Sequence, residues 1–125
     1  MPHQTERMNR MKLGFVSAIL GELSFEEMID FASENGFECV EVCCWPKGKA
    51  ERRYAGVTHI NVDEVDEAKA AYIKDYCAKK GVEISALAYY PNTMDPDLEK
   101  RAVYINHIKK LIKAAKLLDI ATVNT

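Results

Sequence analysis

A chain of 125 residues, 48% apolar and 29% charged, is the size of one ordinary domain and can bury a core without disulfide or metal staples. A net charge of −2 excludes the basic footprint of a nucleic-acid or acidic-membrane binder, so neither partner is expected. No apolar run reaches the length of a membrane span. The leader "MPHQTERMNR" lacks the apolar stretch of a secretory signal, which leads us to expect a cytoplasmic protein with a flexible tail at 1–10 and one domain at 11–125.

In chain order, "MKLGFVS" (11–17) is short and apolar and reads as strand 1. Helix 1 follows. Ser24 and Glu27 have capping-box spacing, Leu23 can staple onto Met28, and Phe25, Met28, Ile29 and Ala32 repeat at helical period before Gly36. Strand 2 is "FECVEVC" (37–43). Its alternation puts Val40 and Val42 on one face, and Cys39, Glu41 and Cys43 on the other. A long loop carries Trp45 and Pro46, the basic residues Lys47, Lys49, Arg52 and Arg53, and then His59. Asn61 or Asp63 is expected to cap helix 2, with Val65, Ala68, Tyr72, Ile73 and Tyr76 as its buried stripe and Gly81 as its stop.

Strand 3 is "VEISALAYY" (82–90), closed by Pro91 and Asn92. One of Tyr89 and Tyr90 faces inward and the other outward, an order that parity alone does not settle. Helix 3 is expected to start with Asp95 as cap and Pro96 at its first position. Leu98, Ala102, Ile105, Ile108, Ile112 and Ala115 would form its apolar stripe, and His107 would lie beside solvent-side lysines in a structural or exposed position. "IATVNT" (120–125) reads as strand 4. The four cysteines, Cys39, Cys43, Cys44 and Cys77, form no CxxC pair and no cluster with zinc-ligand spacing, so they read as buried reduced thiols.

Strand and helix alternate throughout, which implies parallel strands joined by right-handed helical crossovers. Two architectures share that pattern: a complete flavodoxin-like sheet, and part of a (β/α)8 barrel, whose full form needs ~250 residues. An open sheet covered on both sides has strands that are apolar throughout. Glu41 interrupts strand 2, and "SAILGEL" is no phosphate-binding glycine turn, so the barrel is favoured. The fold class expected is α/β, four parallel βα-type units equivalent to half a TIM barrel, with strand order 1-2-3-4.

The segments "KLGFVS", "SFEEMIDFASENGFECVEV", "RRYAGVTHINVD", "GVEISALAYYPNTMDPD" and "AAKLLDIATVN" together resemble the N-terminal half of the sugar phosphate isomerase/epimerase family, the xylose-isomerase-like and endonuclease-IV-like TIM barrels. The resemblance runs from about Met11 to Thr125. It implies a divalent metal (Mn, Mg, Zn or Co) at the C-terminal mouth, bound by Glu, Asp and His residues of later strands that this chain does not contain. The DNA-repair branch also places histidines at the ends of strands 3 and 4. Here those positions hold Tyr89, Tyr90, Asn124 and Thr125, which leaves sugar (or sugar phosphate) or keto-acid isomerisation as the better analogy.

By that analogy Glu41, Trp45, His59, Tyr90 and Asn124 would form the substrate-binding side of the site. Each also has a structural reading. Glu41 could be a buried partner of a lysine or arginine, Trp45 a packing residue, and His59 a loop or capping contact. The residues for metal binding and proton transfer being absent, the chain is expected to be a truncated member that is inactive alone. Two other readings stay open: a non-catalytic binding or assembly module that forms a homo-oligomer through open strand edges, and a complete flavodoxin-like ligand-binding domain.

Overall fold

The computed structural model describes residues 11–46 and 56–125. The expected tail at 1–10 and the basic loop positions Lys47, Lys49, Arg52 and Arg53 lie outside the described residues. In chain order come β1 (Gly14–Val16), a 3-10 turn (Ser17–Leu20), α1 (Phe25–Glu34), β2 (Cys39–Cys43), α2 (Glu67–Lys80), β3 (Glu83–Ala88), α3 (Leu98–Leu117) and β4 (Val123–Asn124). Every strand is shorter than the apolar run that announced it. The sheet runs β1-β2-β3-β4, and each neighbouring pair is parallel. Consecutive parallel strands side by side make half a TIM barrel. The flavodoxin-like alternative is overturned, because it requires strand 1 inside the sheet and here β1 is an edge.

The helix ends follow from local chemistry. Ser24 Oγ accepts from the Glu27 N–H at 3.1 Å, and Glu27 Oε1 accepts from the Ser24 N–H at 3.1 Å, so the capping box closes as its spacing predicts. The expected starts of the other two helices need correction. Asn61 Oδ1 accepts from the Asp63 N–H at 3.1 Å in a local turn, and the cap of α2 is Asp66, whose Oδ1 takes the Lys69 N–H at 2.8 Å. Asp95 likewise spends its side chain on the Asp97 N–H at 2.9 Å. Asp97 then caps α3, and Pro96 lies outside the helix instead of at its first position. In each case an Asx-type turn claimed the earlier candidate. Gly81 ends α2 at φ +69°, a left-handed conformation that glycine adopts without a Cβ penalty.

One apolar cluster fills the space between sheet and helices. It holds Met28, Ile29 and Ala32 of α1, Ala70, Ile73 and Cys77 of α2, Leu111, Ala114 and Ala115 of α3, and Val40, Val42 and Leu87 of the sheet. Two expected stripes are corrected by this packing. On α2, Ala68 is exposed and Tyr72 is 45% exposed; the Tyr72 hydroxyl instead donates to Glu26 of α1 at 2.9 Å. On α3, Leu98 and Ile112 face outward, 69% and 56% exposed, with Ala102 and Ile105 also exposed. The helix carries two apolar stripes, and the sheet takes the one that includes His107, Leu111, Ala114 and Ala115. His107 is therefore buried against the sheet, away from the lysine face where it was expected; Cys44 O lies 2.8 Å from its Nε2 and accepts the ring N–H.

Two details of the sheet fix where its inner-face side chains stand. Gly14 sits opposite Cys39, and a Cβ there would lie 2.2 Å from Cys39 O, so this close approach admits only glycine. Between β2 and β3 the register slips: Val40 pairs with Ile84, but Glu41 pairs with Ala86. Ser85 is the extra residue of a β-bulge. After it, Leu87 and Tyr89 face the helices, while Ala86, Ala88 and Tyr90 face the opposite, inner side of the half barrel.

Candidate functional site at the inner mouth

Glu41 stands on the inner face of β2, away from the helices, because its neighbours Val40 and Val42 are drawn into the core. Its two registered neighbours are Val16 on β1 and Ala86 on β3. Ala86 and Ala88 are small, so the carboxylate reaches across β3. One oxygen accepts the Tyr90 hydroxyl at the end of β3, and the other accepts an Nδ2–H of Asn124 on β4. The amide orientation of Asn124 is set by its partner, since a carboxylate can only accept. Three of the five residues expected at the substrate side thus converge, from the middle of β2, from just past β3 and from the end of β4. Tyr90 is 41% exposed, so the cluster is open at its edge. Burial and the Glu41 carboxylate together push the Tyr90 phenol above its ordinary range, which keeps its proton in place as a donor.

His59 is placed elsewhere and differently bonded. Its Nδ1 lies 2.8 Å from Ser17 Oγ and its Nε2 3.0 Å from Leu20 O. The carbonyl can only accept, so Nε2 carries the proton and Nδ1 accepts the Ser17 hydroxyl. Ser17 Oγ in turn accepts the Cys43 N–H at 2.9 Å, and the His59 N–H donates to Cys43 O at 2.9 Å. Both backbone groups of Cys43, at the end of β2, are therefore fastened by these two residues. Burial lowers the His59 pKa, an effect only partly offset by carbonyl contacts to Leu20 and Leu23. His59 acts here as a neutral pin for the strand that carries Glu41. Ser17 was not singled out in the sequence; the available signal was its place at the end of strand 1, where a barrel strand opens on the mouth.

Trp45 is not brought to the cluster. Its ring packs edge-on against Tyr89 at 4.9 Å, and Tyr89 packs edge-on against His107 at 4.7 Å, on the helix side of the sheet. The geometry is that of a packing residue: Cys44 keeps the core parity of Val40 and Val42, and Trp45, beyond the end of β2, turns back against the same core.

Among the described residues no three His, Cys, Asp or Glu side chains are grouped as a metal ion would need. The donor chemistry agrees. Burial pushes the Cys39, Cys43 and Cys44 thiols up, and Cys77 up to about 11, so they stay protonated and are poor ligands. Both ring nitrogens of His59 are engaged, and both oxygens of Glu41 accept hydrogen bonds. These residues do not fit the divalent metal that the resemblance implies. What the inner mouth can do is present a fixed set of hydrogen-bonding oxygens to a ligand in the lumen. No helix among the described residues is long and apolar enough to cross a membrane.

Comparison with known proteins bears on the fold. A crystal structure of an uncharacterised protein from Parabacteroides distasonis is similar at 15% sequence identity and a TM-score of 0.49, over 91% of this chain and 52% of that one. The chain thus spans about half the length of that protein. No curated protein matches it. The family model described as xylose isomerase-like TIM barrel matches residues 29–125, from within α1 through β4 and including Glu41, Tyr90 and Asn124. The chain belongs to the xylose isomerase-like TIM barrel family.

Proposed function

We propose that this chain supplies the substrate-side half of a sugar or sugar phosphate isomerase or epimerase site and does not turn over by itself. The observation that carries the reading is the convergence on the inner face of Glu41 from mid-β2, Tyr90 from just past β3 and Asn124 from the end of β4. In barrels of this architecture the C-terminal ends of the strands are where ligands meet the protein. A carboxylate, a phenol and an amide held together in the folded chain are suited to the hydroxyls of a polyol, and holding them in advance lowers the ordering cost of binding.

Isomerisation also needs a base that removes a proton beside a carbonyl, and a group that stabilises the enediolate left behind. The described residues supply neither. Glu41 is held by two donors, His59 is buried and committed, and the phenol of Tyr90 is pushed upward in pKa. On this reading those tasks fall to barrel strands other than these four. A direct check is an aldose–ketose interconversion assay on the isolated chain with Mn2+ or Mg2+ added. The expected outcome is no rate above the metal-only blank; measurable turnover would overturn the division of labour proposed here.

A further inference from the structure

We infer that the inner mouth selects the neutral, hydroxyl-bearing end of its ligand and discriminates against a phosphate end, an inference that rests on the mouth being a substrate site. The reason lies in how the cluster spends its protons. The Tyr90 O–H and one Asn124 N–H both point at Glu41, so two of the three side-chain donors in the cluster are consumed internally. What remains for a ligand is the second N–H of Asn124 set against the spare lone pairs of Glu41, Tyr90 Oη and Asn124 Oδ1. An acceptor-rich surface of this kind calls for a ligand that brings donors. A polyol hydroxyl does, since each one can donate to an oxygen of the cluster and still accept from Asn124. A phosphate brings acceptors and negative charge toward a carboxylate, which costs both unmade hydrogen bonds and like-charge repulsion.

The described surroundings do not reverse that balance. The other inner-face residues beside the cluster are Val16, Cys43, Ala86 and Ala88, none of them cationic, and no described lysine or arginine pairs with Glu41. Lys12 pairs with Glu83 at the opposite end of the strands, and Arg101 at the start of α3 donates its Nε–H to Asp95 O at 3.2 Å.

The test is an amide-resolved NMR titration of the chain with xylitol, with xylitol 5-phosphate and with inorganic phosphate, repeated on Glu41→Gln and Tyr90→Phe. Xylitol is expected to move the signals of Glu41, Tyr90 and Asn124, inorganic phosphate to leave them in place, and Glu41→Gln to weaken xylitol binding at least tenfold. Tyr90→Phe, at an exposed position, keeps the test informative if the Glu41 variant folds poorly; it is expected to weaken binding severalfold. Phosphate moving these signals, or xylitol binding both variants like the parent chain, would overturn the inference. If only xylitol 5-phosphate binds at the cluster, the discrimination against phosphate is wrong while the mouth stands as a substrate site. If none of the three binds there, the substrate-site reading falls, and this inference with it.

Discussion

The two faces of β2 differ in kind, although they alternate residue by residue. Val40 and Val42 on the helix side are fully buried in a continuous apolar cluster with α1, α2 and α3. Glu41, between them, belongs to a polar trio with Tyr90 and Asn124 and touches no helix core. One face belongs to the apolar core, and the other holds a set of hydrogen bonds outside it. A parallel strand in an open doubly wound sheet has no such freedom, because helices cover both of its sides. The half barrel leaves one side for chemistry.

Mutations should separate the two faces, and the largest effect belongs to the helix side. Leu87 is completely buried, so Leu87→Ala should cost about 2–5 kcal/mol by loss of contacts and residual cavity. In urea denaturation Glu41→Gln should move the midpoint far less, by roughly 0.5 kcal/mol or under, since it removes charge without emptying the core. Equal losses would show that the trio is structural.

The next effect lies at the seam between the faces. Burial lowers the folded-state pKa of His59, so the unfolded chain binds its proton first as the pH falls. The stability His59 contributes is complete above about pH 6.5. Below that it declines by up to about 1.4 kcal/mol per pH unit, until the folded-state ring itself titrates. Unfolding free energies at pH 7.5 and 5.5 should show the decline in the parent chain and a flatter profile in His59→Gln. A parent profile as flat as the variant's would contradict a neutral pin. At a site remote from both faces, Ser24→Ala opens the capping box of α1 and should cost about 1 kcal/mol, without altering any ligand-induced signal at Glu41. A changed signal would mean that α1 and the mouth are coupled.

Much of this was present in the order of residues. Strand and helix alternation, the Ser24–Glu27 box and the parity of "CVEVC" each rest on local rules, and each held in the structure. Less was present where two local solutions competed. Asn61, Asp63 and Asp95 are good caps by type, but each lies beside an equally good turn, and only the packed chain decides which hydrogen bond forms. The two apolar stripes of α3 are similar in composition. The sheet selected the one whose histidine could donate to Cys44 O.

The sequence by itself determined that parallel βα units would form and that Glu41 would oppose the helix side of its own strand, since period-2 alternation is a property of the chain alone. Only the tertiary structure decided which tyrosine meets that carboxylate. Counted from buried Val82 and half-buried Ile84, alternation would send Tyr90 to the core and Tyr89 to the lumen. The bulge at Ser85 adds one residue between β3 and its neighbour, and one residue exchanges the faces of everything after it. Such a slip arises from how two strands pair across the sheet, and that pairing leaves no mark in the periodicity of either strand.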